Sequence, residues 1–195
     1  MSHTLSELLK QSSARHSHLC PRQVLGVRMG LAGLAALGLQ APFEKGDAIV
    51  IIETDGCFAD GIEVSTGASL GHRNLRVVDF GKIAATFVDL QTGLAIRLSP
   101  RKNVRGRAET YAPEMKSRYY AQLHGYQRMP DNELFIFREV VLKPPLKAIL
   151  SKPGFRMECE HCGEEIINER QVVVNGRALC QACANLGYYF EARDE

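Results

Sequence analysis

The six cysteines of this 195-residue chain are the side chains best suited to chemistry, and their spacing sorts them into two groups. Four form two Cys-x2-Cys pairs, Cys159/Cys162 and Cys180/Cys183, separated by 17 residues. Thiolates at that spacing close around a tetrahedral Zn²⁺ with bonds of about 2.3 Å. A piece of about 40 residues buries too little apolar surface to fold without such a staple. The expected site is closed, structural and non-catalytic, with the His161 side chain pointing away from the metal. The other two cysteines call for a different reading. In SARHSHLCPRQVLGVRMG, residues 13–30, His16, His18 and Cys20 fall within five positions and Pro21 follows. Proline suits the first residue of a helix, which leaves Cys20 at the N-cap, where the positive end of the helix dipole favours thiolate. His16 and His18 lie on one side of an extended lead-in and can converge with Cys20 on a transition metal. Cys57 follows a buried strand, in a turn with Asp55 and Asp60, a place from which functional groups are commonly offered. Cys20 and Cys57 are therefore candidate catalytic thiols as well as candidate ligands. Inert core packing is the plainer alternative for each.

The elements that must hold these groups can be read from pattern. Thr4 with Glu7 three residues on is a capping-box start for a helix over residues 4–12. A second helix is expected from Pro21 to about Leu39. Its Gly26, Gly30 and Gly33 fall on one stripe that lets another helix approach closely, and a homodimer through this stripe is one expectation. DAIVIIET from Asp47 reads as a buried strand, and GCFADGIEVSTG after it as a helix. Residues 75–99 alternate, with a turn at Gln91–Gly93 joining two strands. A helix over about 113–124 and a strand from Glu133 complete the core. Pro144-Pro145 and the Pro-Gly at 153–154 mark a boundary, giving a core over 1–150 and a zinc module over 151–195 with a hairpin at Asn175-Gly176. The mixture without strict alternation of strand and helix indicates an α+β fold.

Composition limits the classes of function. The apolar share of 45% and charged share of 24% suit a folded soluble chain. The most apolar window, 11 residues from Met29, is well short of the roughly 20 needed to cross a bilayer. No secretory leader is read, and the metal-like cysteine spacing indicates a reducing, cytoplasmic setting. The net charge of +2 is unevenly spread: residues 151–195 carry five basic and eight acidic side chains, a net −3, leaving +5 for the rest. An acidic finger argues against nucleic acid and for contact with a protein partner. A basic run, RLSPRKNVRGR at 97–107, has five cations and no acid. A solvated hairpin loop is the default there, and attraction of an anionic ligand the alternative.

Several of these motifs occur together and in order. HSHLCPRQVLGVRMG, followed by ETDGCFADGIEVSTGASLGHRNLRVVDFGKIAATF, resembles the FmdE family, which takes its name from formylmethanofuran dehydrogenase. The likeness runs from His16 to Phe87. It rests on the His-x-His-x-Cys-Pro, Gly-x-Arg-Met, Cys-x-x-Asp-x-Ile and Asp-x-Gly-Lys elements. The resemblance implies an α+β core forming an intertwined dimer, a pocket of His16, His18, Cys20 and Cys57 with Asp60 and Lys82 nearby, and a treble-clef-like zinc finger. The chain departs from the pattern at Ser17 and Arg22, where glycines are usual; Arg22 adds a cation near Cys20. Three functions follow as expectations. One is a zinc-binding accessory to a molybdenum or tungsten enzyme, handling metal, cofactor or thiol redox. The second is an enzyme using an open Cys/His metal site, with zinc or another transition metal in the core and His16 or Asp60 as general base. The third is a zinc-finger adaptor or regulator.

Overall fold

The computed structural model describes residues 3–150 and 152–189, which divide into two compact units, Met1–Leu142 and Lys143–Glu195. Helix α1, Leu5–Ala14, starts at the expected capping box: the Glu7 carboxylate accepts from the Thr4 N–H at 2.8 Å, and the Glu7 N–H returns the bond to Thr4 Oγ1. Helix α2, Pro21–Ala36, begins after Cys20, whose extended backbone makes it the N-cap. Strand β1, Ala48–Ile52, leads into helix α3, Cys57–Thr66, which ends at Gly67 in the left-handed conformation that glycine adopts without penalty. Strands β2 (Leu75–Val77), β3 (Ala85–Asp89) and β4 (Ala95–Pro100) follow, then helices α4 (Val104–Tyr111), α5 (Arg118–Arg128) and α6 (Asp131–Leu134), and strand β5, Phe135–Glu139.

The five strands form one sheet in the order β2-β1-β3-β4-β5, parallel between β1 and β2 and antiparallel elsewhere. Val50, Phe87 and Ile96 stand in register across its centre. Val50, Ile52, Ala85, Phe87 and Leu98 join Val24, Val27, Leu34, Phe58 and Ile62 of α2 and α3 in one hydrophobic core. The α+β class read from pattern is the observed one.

Several local expectations need correction. Gly26, Gly30 and Gly33 do not face a second chain. A Cβ on Gly26 would lie 2.3 Å from the Phe58 carbonyl oxygen, one on Gly30 would strike Ser65, and one on Gly33 would strike the Phe87 ring. The stripe is used up inside the chain, against α3 and β3. The alternation over 75–99 breaks at residues 78–84, so β2 pairs with β1 rather than running on into β3; the turn at 91–93 is as expected. The basic run is no loop, since it spans the end of β4 and the start of α4. The helix expected from Pro113 begins at Arg118, capped by the Ser117 hydroxyl, which accepts from the Tyr120 N–H. The strand expected from Glu133 begins at Phe135, after α6.

In the second unit, helix α7 (Leu146–Leu150) precedes strands β6 (Arg156–Glu158), β7 (Glu165–Ile167), β8 (Val172–Val174) and β9 (Arg177–Leu179) and a helical turn at Ala182–Leu186. β6 pairs with β7 and β8 with β9, both antiparallel. Asn175 and Gly176 both have positive φ, 50° and 78°, as a two-residue hairpin turn requires. The small core is Cys159, Ile166 and Leu179, packed by Met157, Cys180, Cys183 and Ala184. Among the described residues, no helix is long and apolar enough to cross a membrane.

Candidate functional site

Two contacts fix the segment that carries the core histidines. The buried Gln23 side chain accepts from the Cys20 N–H and donates to the Ser12 carbonyl, each at 2.8 Å, tying the start of α2 to the end of α1. The close approach of α2 to α3 at Gly26 and Gly61 then sets the starts of both helices side by side. Cys20 before α2 and Cys57 at the head of α3 consequently line one pocket of about 420 Å³, together with Arg22, Arg105, Tyr119 and Tyr126.

Behind Cys57 lies a short line of polar groups. Its Sγ is 3.3 Å from His16 Nε2, and His16 Nδ1 is 2.8 Å from Asp60 Oδ2. Asp60 stands three residues after Cys57, on the same face of α3. That carboxylate oxygen is buried and makes no hydrogen bond of good geometry among the described residues; the imidazole is its close polar neighbour. A carboxylate at Nδ1 favours the ring proton there, which leaves the Nε2 lone pair facing the Cys57 sulfur. Arg15 pairs with Glu63 and lies 4.0 Å from Asp60, giving the carboxylate a cationic neighbour. Burial first, then the adjacent Cys20 thiol and the Asp60 charge, push the Cys57 thiol above its ordinary pKa. The pocket is thus lined by two sulfurs, with the His16 imidazole nitrogen beside Cys57 but outside the lining; these are soft and borderline donors, and the three do not lie within 4.8 Å of one another.

The structure brings together His16, Cys20, Cys57 and Asp60, but not every residue of the expected set. His18 is exposed, with Nδ1 3.1 Å from Ser17 Oγ. Lys82 stands over the Phe80 ring and lines a neighbouring cavity instead. Arg22, one of the two departures from the family pattern, does line the thiol pocket. Tyr119, Tyr126 and Arg105 come from α4 and α5, about 50 to 105 residues further along the chain. No local motif marks them.

The four sulfurs of the second unit lie within 4.8 Å of one another, the one such group of three or more donors among the described residues. Cys162 Sγ and Cys180 Sγ are 4.0 Å apart, close to the roughly 3.8 Å edge of a zinc–thiolate tetrahedron. The Cys180 N–H points at Cys159 Sγ at 3.2 Å, and the Cys183 N–H at Cys180 Sγ at 3.4 Å. Backbone N–H groups, that of Cys162 foremost and then that of Cys180, pull Cys159 down to about 6. Hydrogen bonding with the Cys180 thiol, then burial, pushes Cys183 up to about 12. Four sulfurs this close cannot all ionise without a cation among them, so the cluster fits a metal such as zinc. His161 does not point away from it as expected: its Nδ1 is 3.4 Å from Cys183 Sγ, a neighbour to the ligand set.

The family model described as FmdE, molybdenum formylmethanofuran dehydrogenase operon, matches residues 15–136, more than half of the chain. The chain belongs to the FmdE family. The matched span holds all four residues gathered at the core site and stops before the four-cysteine unit. A probable S-adenosyl-L-methionine-binding protein from Archaeoglobus fulgidus is 30% identical over 207 residues, covering 95% of this chain and 54% of the relative. The chain thus spans about half the length of that curated relative. A solved FmdE-like protein from Syntrophus aciditrophicus, described as of the tungsten formylmethanofuran dehydrogenase type, superposes with a TM-score of 0.62 at 21% identity, covering 97% of this chain and 96% of that one. Its fold is shared by this FmdE-family protein.

Proposed function

We propose that this FmdE-family chain is a zinc-binding accessory protein to a molybdenum or tungsten enzyme, handling a metal, a cofactor or thiol redox at its core pocket. The observation that carries this reading is the line Asp60–His16–Cys57 ending beside Cys20 in an open pocket. Cys57, Cys20 and His16 Nε2 would hold the core metal, with His18 recruited from the lead-in as a further donor. A metal there would supply a soft Lewis acid that keeps the sulfurs as thiolates. Asp60, 2.8 Å from His16 Nδ1, would orient the ring and favour its proton on Nδ1, as the carboxylate partners of metal-binding histidines do. Arg22 at the pocket mouth offers a cation to an anionic ligand. The four-cysteine unit serves as a closed structural zinc module, and its exposed Val173, Leu186 and Tyr188 provide a surface for a protein partner. A homodimer remains part of the proposal through a surface other than the glycine stripe; the exposed Leu70, Val77, Val78 and Phe80, on and around the edge strand β2, offer one. The six free thiols suit a reducing, cytoplasmic setting.

A second reading is favoured by the order thiol, imidazole, carboxylate, which is that of an activated nucleophile with base and orienting group. In it the same pocket is an enzyme site, open to water or substrate beside Cys20 and Cys57, with His16 as general base. Equilibrium zinc titration separates the proposals from inert packing. Wild type should take up two equivalents, Cys20→Ser one and Cys159→Ser one, because the two sites share no ligand. A wild type that holds one equivalent, all of it lost in Cys159→Ser, would leave Cys20 and Cys57 as free thiols and remove the core metal from the account.

A further inference from the structure

The basic run that begins at Arg97 builds the wall of a cavity of about 730 Å³. Five cations line it, Lys82, Arg97, Arg101, Arg105 and Arg118, and no carboxylate does. Two of the five are already matched. Arg97 forms a two-pronged pair with Glu53 at 2.5 and 2.7 Å, and Arg118 lies 3.6 Å from Glu109. Lys82, Arg101 and Arg105 pair with no carboxylate among the described residues. The Asn132 carbonyl accepts from Arg101 Nε at 2.7 Å, which holds the guanidinium stem and leaves its outer N–H groups available. Three unmatched cations around one concave space raise the local potential and concentrate anions there.

The backbone adds to this. Val104, Arg105 and Gly106, in the first turn of α4, line the same cavity, and a Cβ on Gly106 would meet nothing within 4 Å, so this main chain borders open space. Leu25, Ile83 and Val104 add apolar wall, and Ser99, Asn103 and Tyr126 add neutral polar groups. Leu25, Ile83, Arg105 and Tyr126 also line the thiol pocket, so the two spaces share a wall. Both volumes are of the size that small organic ligands occupy. Guanidinium groups recognise phosphate oxygens in pairs, and apolar walls accept the organic remainder.

We propose that this cavity binds the phosphate or pyrophosphate group of a small organic ligand and delivers the rest of it toward Cys20 and Cys57. The inference deepens the reading of the thiol pocket as the working site and rests on it for the direction of the ligand. Calorimetric titration of the zinc-loaded 195-residue chain with inorganic pyrophosphate tests it. One saturable site per chain is expected. Arg101→Ala and Arg105→Ala should each weaken binding about tenfold or more, and Gly106→Leu should weaken it by filling the space while every charge stays. Lys45→Ala, on an exposed loop, should leave it unchanged, and thermal melts of each variant confirm that the chain is folded. Absence of saturable binding, or an equal loss in Lys45→Ala and Arg105→Ala, overturns the proposal, because the attraction would then be diffuse surface charge. Core zinc is counted on the same samples. Loss of pyrophosphate binding with core zinc retained removes this inference alone, whereas pyrophosphate binding without core zinc supports the anion site and removes the metal reading.

Discussion

Replacing Gly61 by alanine should both destabilise the core and disturb the thiol pocket. The added Cβ would sit 2.5 Å from the Gln23 carbonyl oxygen, 2.7 Å from the Val27 nitrogen and 2.9 Å from the Gly26 Cα. Ordinary contact begins at 3.4 Å, and all three obstacles are backbone, so no side chain can turn aside. Helices α2 and α3 must part by about 1 Å, and overpacking of this kind costs about 3 kcal/mol. For a chain of this length that corresponds to a fall in Tm of about 6–12 °C. The site follows because Cys57 is one turn before Gly61 and Cys20 one turn before Gln23, so the sulfurs separate with the helices. Circular dichroism melts give the first effect and core zinc affinity the second. Gly30→Ala is the internal comparison, since its obstacle is the Ser65 hydroxyl at 2.0 Å, and adding Ser65→Ala should restore much of the loss. A Gly61→Ala protein with unchanged Tm and unchanged core zinc affinity would refute the view that this crossing sets the pocket.

Arg28→Lys should cost about 1.5–3 kcal/mol in urea denaturation, because the guanidinium donates to the Tyr126, Gln127 and Met129 carbonyls and to Asp131, a fork that an ammonium cannot reproduce; a lysine variant as stable as wild type would contradict this. Asp89 accepts from the Gln91 and Thr92 N–H groups at 2.7 and 3.1 Å, which holds its carboxyl below the ordinary 3.8. Its contribution is thus full above that value and is lost as pH falls through the lower folded-state value, so the stability gap between wild type and Asp89→Asn should narrow from neutral pH to about pH 3. An equal gap at both pH values would count against it. Cys162→Ser should abolish hydrogen-exchange protection from about residue 156 onward and leave residues of the first unit protected; persistent protection of the metal-free finger would overturn its dependence on zinc.

Elements whose chemistry is local were legible in the sequence. Thr4 with Glu7, Pro21 after Cys20, the β-branched run of β1, Asn175-Gly176 and the paired cysteines each carry their own physical instruction. What failed depended on distant partners. The glycine stripe announced a close approach, but nothing in α2 could say that α3 and Phe87 would fill it. Helix α4 was hidden because its first turn is Val-Arg-Gly-Arg, in which two arginines face outward and Gly106 lowers helix propensity. Parallel pairing of β2 could not be read from alternation, which is the same for strands of either direction. Arg28 belonged to a recognised Gly-x-Arg-Met element, yet its task of closing the end of α5 became visible only when the carbonyls of residues 126–129 came to it. His18 shows the reverse limit: its spacing groups it with His16 and Cys20, while the structure sets its Nδ1 3.1 Å from Ser17 Oγ on an exposed lead-in.

Element-resolved anomalous X-ray scattering from crystals of the zinc-loaded chain tests the central claim most directly. Two zinc peaks per chain are predicted, one among Cys159, Cys162, Cys180 and Cys183, the other within bonding distance of the Cys57 sulfur and His16 Nε2 and beside Cys20. A single peak, confined to the four-cysteine unit in crystals grown with excess zinc, would contradict the account of the core pocket as a metal site.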